Sequence, residues 1–162
     1  MASVVVFAVG FSDALFTDSS TDPGNVVMTG SVDLRVAPTG AVVPSTNGLK
    51  PGDSRKGSVT VTNLGNRAKL RLRVADLVEG AAPKLSGVIV LTVRQTQPAV
   101  AAPVYDGLLG GFTGAELGTW ASGAQRTYEL GLAWPSDKWD TGLRNKQTSF
   151  RFEWSGSSVP KT

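Results

Sequence analysis

The sequence predicts an all-β protein, a two-sheet sandwich or jelly roll in one domain with an extended strand at its start. Three observations carry this. Apolar and polar residues alternate: Val59 and Val61 with Ser58, Thr60 and Thr62, then Leu70, Leu72 and Val74 with Lys69, Arg71 and Arg73. A period of two puts one set on the core face of a strand and the other in water. The chain also carries 19 Gly and 9 Pro among 162 residues, with charged residues at only 18%. That composition suits short strands joined by turns, and no convincing amphipathic helix interrupts them.

Taken in order, the elements begin with Val4 to Val9, an apolar and largely β-branched stretch. It has two readings. A truncated signal peptide gives such a stretch followed by small residues, here Ser12-Asp13-Ala14, although the basic region expected ahead of it is absent. The alternative is a strand of the folded or assembled protein. Residues 1–25 are accordingly read as an N-terminal segment, leader remnant or donor strand, and 26–162 as the sandwich.

The turn signal Asp22-Pro23-Gly24-Asn25 precedes a strand over 26–36, with Val26, Met28, Val32, Leu34 and Val36 on one parity and a bend at Gly30. Pro38 to Pro44, Asn47-Gly48 and Pro51-Gly52-Asp53 form the next connection. Strands follow at about 57–63 and 67–78. A third, at about 87–96, holds Val88-Ile89-Val90-Leu91-Thr92-Val93, a run apolar on both faces, as in a strand buried on both sides. The Gly- and Pro-rich stretch 98–118 reads as loop. Two strands finish the chain, with Tyr128, Leu130, Leu132 and Trp134 inward in one and Phe150, Phe152 and Trp154 inward in the other.

At this length the chain can bury roughly 70% of its unfolded surface in one core. The net charge of +3 is too small for a nucleic-acid signature. No run of 18 apolar residues exists, so no membrane-spanning helix is expected.

In order along the chain, several stretches resemble the TasA/camelysin family of secreted bacterial proteins. They are Ala14-Leu15-Phe16-Thr17-Asp18-Ser19, the run Gly24 to Leu34, Leu49-Lys50-Pro51-Gly52-Asp53 and Val59-Thr60-Val61-Thr62-Asn63-Leu64-Gly65. Leu117-Gly118-Thr119-Trp120-Ala121-Ser122-Gly123 and Trp134-Pro135 continue the likeness, which covers about residues 14–155. The resemblance implies export, a jelly-roll fold and polymerisation into extracellular fibres of the biofilm matrix. It also implies that an N-terminal segment of one subunit fills a groove of the next. The donor would then be drawn from Val4, Val6, Phe7, Phe11, Leu15 and Phe16. The fourteen residues ahead of the Leu-Phe-Thr-Asp start depart from the family pattern.

The chain contains no His and no Cys. That removes the imidazole and thiolate ligands of a zinc hydrolase and makes a Ser-His-Asp triad impossible. A carboxylate pair for glycoside cleavage could be drawn from Glu79, Glu116, Glu129 and Glu153, but Glu129 and Glu153 fall on outward positions and read as solvated. The acidic groups Asp13, Asp18, Asp22 and Asp137, Asp140 lack the spacing of a calcium loop and read as turn residues. No catalytic residue, cofactor or metal is expected.

Arg67, Lys69, Arg71 and Arg73 share one parity and line the outer face of a strand. This row reads first as a solvated face that discourages wrong pairing. Its functional alternative is attraction to extracellular DNA or anionic polysaccharide. Trp120 and Trp139 fall in loops, where an exposed pair could stack on sugar rings.

The function expected is therefore a secreted, non-catalytic protein at the cell surface or in the matrix. It would assemble head to tail with copies of itself by strand donation. The rival from another class is a monomeric module for an anionic or glycan polymer. A camelysin-type peptidase ranks last.

Overall fold

The computed structural model describes residues 4–11, 33–38, 46, 48–144 and 146–159, with residues 4–11 and Pro38 described by their backbone. The described residues form nine strands: β1 (Val4–Phe11), β2 (Leu34–Pro38), β3 (Ser54–Asn63), β4 (Ala68–Glu79), β5 (Val90–Gln97), β6 (Tyr105–Leu108), β7 (Ala115–Trp120), β8 (Gln125–Ala133) and β9 (Thr148–Ser158). The helical content among the described residues is three single 3-10 turns, at Leu85–Gly87, Leu109–Gly111 and Thr141–Leu143.

The strands form two antiparallel sheets, ordered β1-β9-β4-β7 and β2-β3-β8-β5-β6. From β3 onward the chain crosses between sheets at almost every connection, and only β5 and β6 follow one another in the same sheet. Setting β2 aside, this is the strand order of a jelly roll, with β1 beside β9 at one side of the first sheet. An extra edge strand, β2, widens the second.

The core lies between the sheets. Phe150, Phe152 and Trp154 of β9, Leu70 and Leu72 of β4, Tyr128, Leu130 and Leu132 of β8, and Val59 and Val61 of β3 are all buried, as their parity predicts. Each such side chain contributes on the order of 1.5–3 kcal/mol of transfer free energy. Aromatic packing orders the centre. The Tyr128 ring lies 5.1 Å from Trp154 and stacks on Trp120 at 6.4 Å, while Phe150 meets Phe152 edge-on at 5.4 Å.

Turn chemistry fixes the ends. In Lys50-Pro51-Gly52-Asp53, Asp53 N donates to Lys50 O at 2.9 Å, and Gly52 takes φ +94°. Pro at the second place and a left-handed Gly at the third make a type II turn. The turn is pinned to the far end of β8, since Gly52 N donates to Trp134 O and Trp134 N to Asp53 O. At the opposite end, the fully buried Asn63 ties two turns together. Its Nδ2 donates to Asn66 O at 2.8 Å and Ala121 O at 3.0 Å, and its Oδ1 accepts from Gly65 N.

Two sequence expectations need correction. The stretch 98–118 is not one loop, because it contains β6 and most of β7. The alternation of β7 is broken by a register shift opposite Leu70/Arg71 and by Gly118 at φ +80°, so only Leu117 and Trp120 are buried. The strand at 87–96 begins later, at Val90, and is buried on one side only. Ile89, Leu91, Val93 and Gln95 point inward, whereas Val90 and Thr92 are half-buried. Of the strand expected over 26–36, Leu34 to Val36 lie in β2 and 26–32 fall outside the described residues.

Candidate functional site

Two surfaces follow from this topology: the edge where β1 joins β9, and the outer face of the sheet containing β4. At the edge, β1 pairs antiparallel with β9 without a register shift over eight residues, from Val4 opposite Ser157 to Phe11 opposite Phe150. Its other side has no strand neighbour among the described residues. Positions along β1 alternate between the two residue sets of β9. Phe7 and Phe11 lie opposite Trp154 and Phe150, which are core residues, whereas Val4 and Val6 lie opposite Ser157 and Ser155, which are not.

The expected donor residues thus divide between two parities. Val5 and Val9, opposite Gly156 and Phe152, share the parity of Phe7 and Phe11. Leu15 and Phe16 lie outside the described residues.

On the outer face, Lys69, Arg71 and Arg73 are exposed positions of β4, and Arg67 occupies the bend just before it. Their charges are not all available to a ligand. Arg71 Nε stands 3.5 Å from Glu116 Oε1, a carboxylate delivered by β7 directly opposite. Arg73 bonds Glu153 of β9, also directly opposite. Arg151 adds a third cation, with Nη1 2.6 Å from Asp76 Oδ2 and Nη2 3.9 Å from Glu153 Oε2. Three arginines are therefore matched by three carboxylates. Arg67 and Lys69 have no ion-pair partner among the described residues.

Glu153 corrects the sequence reading. It has outward parity yet is only 2% exposed. Parity states which face a residue occupies, not what long neighbours do there. Arg73 from β4 and Arg151 from its own strand bring their guanidinium groups to its two carboxylate oxygens.

The other glutamates also have local partners. Glu79 accepts from Ser86 N at 2.8 Å and from Ser86 Oγ, anchoring the first 3-10 turn. Glu129 pairs with Lys56 at 2.9 Å. Among the described residues, no three His, Cys, Asp or Glu side chains gather in a metal-binding group. Asp140 Oδ1 accepts from Gly142 N and caps the last 3-10 turn. Asp13, Asp18 and Asp22 lie outside the described residues.

The tryptophan pair does not exist as such. Trp120 ends β7 and is 1% exposed, its ring covered by the Arg126 guanidinium at 4.5 Å, while Trp139 stands alone in a loop and is half exposed. Arg126 also donates to Leu117 O and Gln95 Oε1. Beneath it, burial raises the Tyr128 phenol above its ordinary pKa, partly offset by the Arg126 charge and hydrogen bond.

No helix among the described residues is long and apolar enough to cross a membrane. The chain matches no protein-family model, and no curated protein matches it.

Proposed function

We propose that this chain is a secreted, non-catalytic structural protein, a relative of the TasA/camelysin proteins, that polymerises into cell-surface or matrix fibres by N-terminal strand donation. The observation that carries the reading is the placement of β1. It completes a four-stranded sheet by an unbroken ladder on β9, yet it is separated from β2 by residues 12–33. Fully extended, that connection spans at most on the order of 70 Å. A domain of this size has a radius of gyration of about 15 Å. The first strand can therefore reach β9 of its own chain or of a neighbour.

Strand addition is favourable for the reasons that hold any sheet together. Backbone N–H and C=O groups along β9 find partners, and alternate positions of the incoming strand oppose Trp154, Phe152 and Phe150. Donor and acceptor are different surfaces, so repeated contacts run head to tail and give filaments where the rotation between subunits does not close.

The experiment is deletion of residues 2–16, followed by negative-stain imaging. The full chain is expected to form filaments and the shortened chain none, with a synthetic Val4–Phe11 peptide capping its β9 edge and keeping it soluble. Unchanged filaments after the deletion would overturn the donor assignment.

A further inference from the structure

We infer that the acceptor surface for a second copy is the β9 edge itself, so that β1 lying on its own β9 is the assembly-blocked form of the subunit. This rests on the fibre reading above and adds to it a mechanism of control. One edge of β9 is taken by β4, over ten paired positions, so β9 has a single remaining edge. That edge holds one strand at a time. In the single chain it holds residues 4–11 of the same chain, in a ladder with no bulge from Val4–Ser157 to Phe11–Phe150. A neighbour's residues 4–11 would find there the same hydrogen-bonding groups and the same opposite residues. The cis and trans ladders are chemically identical, and they exclude one another.

Apart from the outer side of β1 itself, the other sheet edges are poorer acceptors. β7 has a register shift and carries the exposed Glu116, β6 is four residues long, and β2 is five residues long with exposed Arg35. Charges, bulges and short length are the usual guards against strand addition. Twenty-two residues, 12–33, separate β1 from β2, a length whose extended reach of about 70 Å exceeds the size of the domain. Assembly then depends on exchange of this one strand, and a chain that cannot release it can neither donate nor accept.

The test uses the full chain, which has no native cysteine. Val6→Cys with Ser155→Cys places thiols at directly opposed register positions. Opposed residues of an antiparallel pair lie about 4.5–5.5 Å apart, within the span of a disulfide. A second pair, Val4→Cys with Ser157→Cys, serves where the first fails to fold. Oxidised while dilute, the protein should run as a single chain and form no filaments. Reduced, it should recover filament formation. Filaments grown reduced and then oxidised should give a covalent ladder on a non-reducing gel.

Filaments from the oxidised single chain, or filaments without a ladder, would overturn the β9 assignment and leave the fibre reading standing. Absence of filaments from the reduced and the unsubstituted chain alike would overturn the fibre reading, and the inference with it.

Discussion

Glu153 lies buried under Arg73 on the outer face of the first sheet, directly across the ladder from it, and Arg151 closes the other side of the carboxylate. The pair couples β4 to β9, the strand on which β1 rests. The two partners are unequal. Glu153 has lost its water, whereas the Arg73 side chain is about half exposed and retains some.

That asymmetry sets the first expectation. Arg73→Ala strands a buried carboxylate and should cost about 2–3 kcal/mol, while Glu153→Gln leaves arginines that can rehydrate and should cost about 1–2 kcal/mol. Urea denaturation measures both as shifts in midpoint at unchanged slope. The reverse order would mean that Arg151 alone satisfies Glu153.

Stability should fall at alkaline pH through Tyr128. Its phenol titrates higher in the folded state than the ordinary value of 10.0, chiefly because it is buried. Above about pH 10 the unfolded chain therefore releases a proton that the native state keeps, and stability declines as pH rises toward the folded value. Tyr128→Phe removes this contribution along with the 3.3 Å contact to Gln95 Oε1. Denaturation at pH 9 and pH 11 should show a shallower loss for the Phe variant, and parallel losses would contradict the assignment.

Asn63→Ala should be among the more damaging single changes. It leaves the carbonyls of Asn66 and Ala121 and the amide of Gly65 without their side-chain partner at a fully buried position. A cost of about 3 kcal/mol is expected. At roughly 2–4 °C per kcal/mol for a chain of this size, the melting temperature should drop by about 6–12 °C.

Gly114→Ala and Gly118→Ala separate two kinds of strain in β7 and its approach. Both sites have left-handed φ, +124° and +80°, but a Cβ at 114 would also meet Arg71 Nε and Leu72 O at 3.0 Å, whereas the space at 118 is open. Gly114→Ala is expected to cost about 2–3 kcal/mol and Gly118→Ala about 1 kcal/mol. Thermal melts of the two variants check the order.

What could be read from the sequence was what a period of two can express. Val59, Val61, Leu70, Leu72, Leu130, Leu132, Phe150, Phe152 and Trp154 sit in the core because strict alternation leaves them no other face. β7 escaped because its bulge and Gly118 destroy that alternation. Glu153 escaped because burial there comes from two arginines, one on another strand. The partner of β1 was out of reach for a different reason. Pairing of Val4–Phe11 with β9 joins the two ends of the chain, and no local pattern encodes such a contact. The basic row was legible as a face, but not its neutralisation, since Glu116 and Glu153 arrive from neighbouring strands.

The most direct measurement is small-angle X-ray scattering of the full chain over a rising concentration series at equilibrium. Strand exchange between subunits predicts particles that lengthen with concentration while their cross-section stays that of one sandwich. A particle that keeps the mass of one chain at every concentration would contradict it.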